Sequence, residues 1–535
     1  MALRGIGYLH RMSQERQIFQ FIKAHYLFVV LVIFYLAMVL PHLNLPYFWD
    51  ASWVYAPAIQ TMMEHGPSLI PDAIPPDLSR GHPLFFHFIT ALWLNIWGNH
   101  LWSVHLLMVL ISFGVLILTY RLGSQWAGPP AGILAAAILV VQELFLAQSA
   151  QCLPEGLLTL LILLSLWFYG KDQWLGYTIS ATAMLYTKES GLVFIGALVL
   201  FTLADAWTRR PPLPRKDLLR SLLWIMLPVV LASFHYLWLK HRFDWYFYPL
   251  HLNYFKSNWQ NFHHDLRNIW RVVWSQDGRW WITLLALGGL LLRFGRQNWK
   301  LTVVFSILSY LGVITFYRLW PEPDHWLKIA ALLAVVAILL ASIQLVNRPQ
   351  QPDQRFISFS LVYFTLFSLF SAYNVFTIRY LFNVFPFFAF IAAWCITPLL
   401  WKKWMIPAAV ATLLVGYGCW VYPQAHDGIS DVKLNYTDGL AIQQRLIDTI
   451  YYHGYDTLKI HASLLEMVAT GHDYLGFLHG RNPVPNISFK LDSTTRVAIY
   501  TNIAREPTYQ QMDTLGFQLR TRIEQGDAWG EVWVR

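Results

Sequence analysis

The chain has 535 residues, of which 56% are hydrophobic, 16% aromatic and only 13% charged. An ordinary soluble domain carries about 25% charged residues, so this chain lacks the polar surface to cover a water-soluble particle of its size. The formal net charge is +9, but residues 424–535 hold 10 Lys/Arg against 13 Asp/Glu, and the remainder holds 29 against 17. A basic excess confined to the apolar part is what cytoplasmic loops of a membrane protein produce, and it argues against nucleic acid as a partner.

Taken in chain order, apolar runs near 26–45, 101–122, 130–147, 153–169, 174–188, 190–207, 219–239, 280–293, 300–319, 326–346, 356–376, 380–400 and 404–422 predict about 13 spanning helices. The first, Leu27–Leu45, has no small-residue cleavage site and reads as an uncleaved span. With the N-terminus cytoplasmic, Arg4, Arg11, Arg16 and Lys23 share a side with three later basic segments: Arg209-Arg210 with Arg215-Lys216, Arg293 with Arg296 and Lys300, and Lys402-Lys403. The opposite face receives the first outer loop (46–83), Gln148–Pro154, His241–Arg279, Trp320–Lys328 and the C-terminal region. The first outer loop predicts an amphipathic helix over Ala51–His65, a Pro-interrupted turn, and a second interfacial helix over Leu84–Trp97.

After about residue 423 the composition becomes polar. A helix is expected over Asp438–His453 and strands over Thr457–His461 and Arg496–Thr501. A closing hairpin pairs Phe517–Arg522 with Glu531–Val534 around Gln525-Gly526-Asp527. The expected organisation is a transmembrane domain (1–422) followed by a small extracytoplasmic α/β domain (423–535). Cys152, Cys395 and Cys419 lie far apart and lack metal-ligand spacing.

Ionisable residues at a membrane boundary cost desolvation energy unless they are paired or at work. Asp50, directly after the first span, is either an N-cap for the following helix or a general base among aromatics. Arg80 and His82, in Arg-Gly-His-Pro, form either a headgroup-contacting lip or a phosphate site at a helix N-terminus. Glu155 follows Pro154 in the first turn of a span, where the helix dipole favours an acid. It is also a candidate second carboxylate or ligand for a divalent metal. Lys188-Glu189 joins two spans with almost no loop. Arg379-Tyr380 opens a late span on the outer side, against the positive-inside bias, and so needs an anionic partner. Glu322, Asp324 and His325 pose the same question in an outer loop.

The order of these fragments resembles the C-type membrane glycosyltransferases, in the branch of protein O-mannosyltransferases and lipid A aminoarabinose transferases. The family's Asp-Glu after the first span is matched by Asp50, with Ala51 in place of Glu. Its Lys-Pro-Pro-Leu segment reads Gly81-His82-Pro83-Leu84 and leads to an aromatic helix ending at Trp97-Gly98. Its second acid aligns with Glu155, its Thr-Lys-Gly with Thr187-Lys188-Glu189, and its late Arg-Tyr-Leu-Leu-x-x-x-Pro with Arg379-Tyr380-Leu381-Phe382 and Pro386.

The resemblance implies a donor sugar on a polyprenyl phosphate and inverting transfer to a hydroxyl of a lipid, glycan or protein at the outer face of a bacterial inner membrane. Asp50 would be the base, and Lys188, Arg379, Arg80 and His82 would face the donor phosphate. Tyr380 and His325 would contact substrate. No nucleotide is required by this scheme, and a divalent metal stays an open alternative. A transporter is the rival class, but the halves show no inverted repeat and the ionisable groups collect at one face.

Overall fold

The computed structural model describes residues 25–208, 214–249, 259–290, 292–293, 352–374, 376–421, 428–503 and 509–535. The expected spans 300–319 and 326–346, the Trp320–Lys328 loop with Glu322, Asp324 and His325, and the basic residues Arg4, Arg11, Arg16, Lys23, Arg209, Arg210, Arg296 and Lys300 lie outside the described residues.

Among the described residues five helices are long and apolar enough to cross a membrane: His25–His42, Leu101–Ala127, Glu189–Trp207, Arg215–Phe243 and Pro352–Tyr373. The shorter apolar helices Phe85–Trp97, Pro129–Val140, Pro154–Tyr169, Phe385–Leu399 and Met405–Cys419 accompany them. The chain is thus a multi-pass, mostly helical membrane protein. The Leu101–Ala127 helix packs on the Pro129–Val140 and Pro154–Tyr169 helices, and Phe385–Ile396 packs on Pro129–Val140. At the first crossing a Cβ on Gly123 would lie 2.9 Å from the Gly132 Cα, and one on Gly132 would lie 2.6 Å from the Ser124 nitrogen. Only glycine lets the two backbones come this close, the usual way apolar helices associate without a hydrophobic driving force.

Two predicted spans differ from the observed helices. The run 130–147 is two helices, Pro129–Val140 and Glu143–Gln148, separated at Gln142 (φ −80°, ψ 120°). The break is where buried Arg279 donates to the Gln142 side chain at 2.8 Å. A polar pair in the middle of an apolar run was the signal for it. The run 380–400 opens as a 3₁₀ helix, Ile378–Asn383, and becomes α-helical only at Phe385–Ile396, where Pro386 suits the first turn. Arg379 and Tyr380 therefore sit at the mouth of this helix.

The C-terminal α/β domain follows expectation closely. The helix runs Tyr436–Tyr452, and β1 (Ile460–His461), β2 (Ile487–Ser488), β3 (Val497–Thr501), β4 (Gln518–Gln525) and β5 (Ala528–Val534) form one sheet in the order β2-β1-β3-β5-β4. β1 is parallel to β2 and β3, while β3–β5 and β4–β5 are antiparallel, the latter being the expected hairpin. Ile442, Leu446 and Ile450 of the helix pack on Ile460, Val497, Ile499 and Val532 of one sheet face; Met512 and Phe517 cover Ala498 and Tyr500 on the other. Strand β2 was not foreseen, because two residues carry no alternation to read.

This domain rests on the loop 46–83 that follows the first apolar helix. The Tyr47 amide donates to the Leu475 carbonyl at 3.1 Å, and the Tyr436 ring meets Phe48 and His42. The Leu464–Ala469 helix packs on the turn Ala51–Tyr55. The loop that carries Asp50 is thereby held from both sides.

Candidate functional site

Asp50 follows a left-handed Trp49 (φ +48°), a conformation that costs a bulky residue about 1–3 kcal/mol and tends to persist at functional turns. The turn is closed by Ser52, whose amide and hydroxyl both donate to the Trp49 carbonyl at 2.8 and 2.6 Å. The predicted helix over Ala51–His65 starts as a π-helical turn, Ala51–Tyr55, before Ala56–His65; such turns recur at functional sites. Asp50 stands at the helix-capping position but makes no side-chain capping bond. Its carboxylate instead accepts from the Arg379 guanidinium.

Arg379 is buried and reaches three carboxylates from separate parts of the chain. Nη2 donates to Asp50, Nη1 donates to Asp431 at 3.1 Å, and Nε faces Glu155 at 3.6 Å. Glu155 comes from the first turn of the Pro154–Tyr169 helix, entered through an extended Leu153, the backbone that a following proline favours. Its side chain is only 2% exposed and accepts from Lys188 Nζ at 2.9 Å. Lys188 is itself extended (φ −161°, ψ 137°), the single residue between the Trp174–Thr187 helix and the turn Glu189–Gly191. This break turns its side chain inward, where the ammonium lies 4.0 Å from the centre of the Tyr380 ring.

The anionic partner expected for Arg379 is therefore present, and the cluster holds three carboxylates against two cations. Glu155 Oε2 and Arg379 Nε are buried without a hydrogen-bond partner, so some polar capacity is left for a ligand. Glu155 already meets two cationic side chains. Among the described residues no group of three or more His, Cys, Asp or Glu side chains stands together as a metal site.

Arg80 and His82 belong to a second group. Arg80 is left-handed (φ +50°) and its guanidinium lies 4.3 Å from the Trp53 ring centre. His82 Nδ1 is 2.9 and 3.1 Å from the Glu189 carboxylate oxygens. Gly81 between them has φ +68°, and a Cβ there would meet Trp245 at 2.9 Å, so only glycine lets this loop tuck under the aromatic wall. His82 and Glu189 both stand where the family pattern has other residues, and they are each other's partners. The two groups connect through the adjacent Lys188 and Glu189.

Asp431 was not singled out from the sequence. It lies in a polar stretch with nothing to mark it, and its role depends on a contact 52 residues away in sequence. Its backbone is fixed separately: Gln148 and Gln151 donate to its carbonyl at 2.7 and 2.8 Å, and the Leu434 amide donates to Glu143 at 3.1 Å. Burial pushes the Asp431 acid above the usual carboxylate range against the pull of Arg379, and the Asp50 and Glu155 charges push the same way.

Lys188 and Arg379 stand at the starts of helices whose far ends are closed by other ion pairs. Arg355 meets Asp205 at 2.6 Å, and Arg293 meets Asp353 at 2.9 Å while Trp394 donates to the same Asp353 at 2.8 Å. The candidate site thus lies at one end of these helices, the end that meets the C-terminal domain.

Residues 81–238 match the family model described as dolichyl-phosphate-mannose-protein mannosyltransferase. No curated protein matches the chain. Among solved structures, ArnT from Cupriavidus metallidurans bound to undecaprenyl phosphate superposes with a TM-score of 0.50 at 13% identity, over 95% of this chain and 98% of that one. The apo state of the same protein gives a TM-score of 0.41 at 14% identity with the same coverage. The chain therefore carries the mannosyltransferase-like segment in residues 81–238 on the C-type membrane glycosyltransferase fold.

Proposed function

We propose that the protein is an inverting glycosyltransferase that moves a sugar from a polyprenyl-phosphate donor to an acceptor hydroxyl at the outer face of the membrane. The observation that carries this is the contact of Asp50 with Arg379, beside the Lys188–Glu155 pair, at one end of the apolar helices. The match to the mannosyltransferase family model and the fold shared with an undecaprenyl-phosphate-bound transferase support it.

The chemistry divides between these residues. The Asp50 carboxylate takes the acceptor's hydroxyl proton as the oxygen forms its bond to the anomeric carbon. The carbon–oxygen bond to phosphate breaks on the opposite face, and the electron pair leaves with the polyprenyl monophosphate. Lys188 and Arg379 are the fixed cations for that growing charge. Glu155 holds Lys188 and Arg379 in place, and the Tyr380 ring flanks the Lys188 ammonium. Arg80 and His82 are assigned to the donor phosphate, and His325, outside the described residues, to substrate contact from its place in the loop Trp320–Lys328 alone. Lipid, glycan and protein hydroxyls are the acceptor classes to test.

Purified protein supplied with a polyprenyl-phosphate sugar and an acceptor extract should release free polyprenyl phosphate. Absence of release across all three acceptor classes overturns the assignment. The orientation is part of the same proposal: a periplasm-active reporter fused after Arg535 should be active and a cytoplasm-active one silent, and the reverse pattern would place the site on the wrong side for this donor.

A further inference from the structure

The two terminal nitrogens of Arg379 are bonded to carboxylates, Nη2 to Asp50 and Nη1 to Asp431, while Nε stands 3.6 Å from Glu155 without a hydrogen bond. A phosphate is recognised by arginine through a two-nitrogen edge, and here each edge includes a terminal nitrogen already bonded to a carboxylate, Nε alone being unbonded. With the three acids ionised and Lys188 and Arg379 charged, the cluster sums to −1, so an entering phosphate raises like-charge repulsion in a partly dehydrated site. One carboxylate has to yield.

The three differ in what yielding would cost. Glu155 is 2% exposed, lies in the first turn of a helix and is bonded to Lys188. Asp50 is fixed by the Trp49–Ser52 turn and is needed at the reacting centre. Asp431 sits outside the helices, in the irregular stretch 428–435, with its side chain 15% exposed. Its carboxylate bonds to no side chain other than Arg379 among the described residues. Its backbone does not depend on that bond, because Gln148 and Gln151 grip its carbonyl and Glu143 receives the Leu434 amide. The carboxylate can swing away about its own two torsions while the segment stays docked.

We propose that Asp431 is the exchangeable counter-ion of the donor site: it occupies one edge of Arg379 until the donor phosphate takes that edge. The inference rests on the donor assignment above. It makes the segment that begins the C-terminal domain a direct competitor of the phosphate, so that donor occupancy and the conformation of Asp431 are linked.

The test is direct binding of polyprenyl monophosphate to the full-length protein in detergent. Asp431→Asn keeps shape and a hydrogen bond to Arg379 but removes the charge. It should bind the probe about tenfold more tightly than wild type, with an unchanged melting temperature and a lower KM for donor. Asp431→Glu keeps the charge and should show no such gain. If Asp431→Asn fails to fold, Asp431→Ser is the second neutral variant. Binding equal to or weaker than wild type in a folded neutral variant overturns the proposal and makes Asp431 a residue that positions Arg379. If wild type does not bind the probe at any accessible concentration, the donor assignment falls and this inference with it; if wild type binds and the neutral variant gains nothing, the inference alone falls.

Discussion

Asp50→Asn is expected to reduce turnover about a hundredfold or more while leaving the protein folded and able to bind donor. Two simpler roles for Asp50 predict something else. A helix N-cap would be served about equally well by Asn, and the capping role is already weakened by the missing side-chain bond at this position. A structural counter-ion for Arg379 would be partly replaced by Asp431 and Glu155, which approach the same guanidinium. Loss of Asp50 would then appear as a lower melting temperature with near-normal turnover. A general base gives the opposite pattern, because Asn fills the same space and still accepts a hydrogen bond from Arg379 but cannot take a proton. Turnover, donor affinity and melting temperature measured on one preparation separate the three. A folded, active Asp50→Asn protein would remove Asp50 from the chemistry and leave Glu155 as the next carboxylate to examine.

What the sequence made legible were the features written in local composition. Apolar runs mark the helices, and the alternation and turn residues of 517–534 mark the closing hairpin, though not the register shift between Leu519 and Thr521. The placement of single charges at the ends of predicted spans led to Asp50, Glu155, Lys188 and Arg379, because a charge there is expensive enough to need a reason. Their mutual contacts were not legible. Arg379 meets Asp50 across 329 residues and Lys188 meets Glu155 across 33, and no local signal encodes which helix mouths converge. Asp431 escaped for a related reason: in a polar segment an aspartate is cheap, so its identity said nothing until the fold carried it to Arg379. The pairing of His82 with Glu189 illustrates the other limit. Each residue read alone is a departure from the family pattern, and only the 2.9 Å contact shows the departures as a matched pair.

Lys188→Ala is expected to cost both stability and activity, and for that reason it cannot by itself assign a role to the lysine. Glu155 is 2% exposed, its second oxygen already lacks a partner, and Lys188 supplies its nearest cation. Breaking a buried pair from one side leaves the other charge stranded, typically at about 3–5 kcal/mol. The double substitution Lys188→Met with Glu155→Gln removes both charges and keeps the side-chain volumes, so most of the lost melting temperature should return. Activity should not return with it. If Lys188 stabilises the leaving phosphate, kcat/KM at limiting donor stays lower by about 2–4 kcal/mol, roughly 30- to 1000-fold. Melting at a fixed scan rate is the appropriate stability readout, since membrane proteins of this size commonly unfold irreversibly. A double variant that is as stable as wild type and turns over donor at the wild-type rate would show that Lys188 only neutralises Glu155. The cation required by the leaving group would then be Arg379 alone.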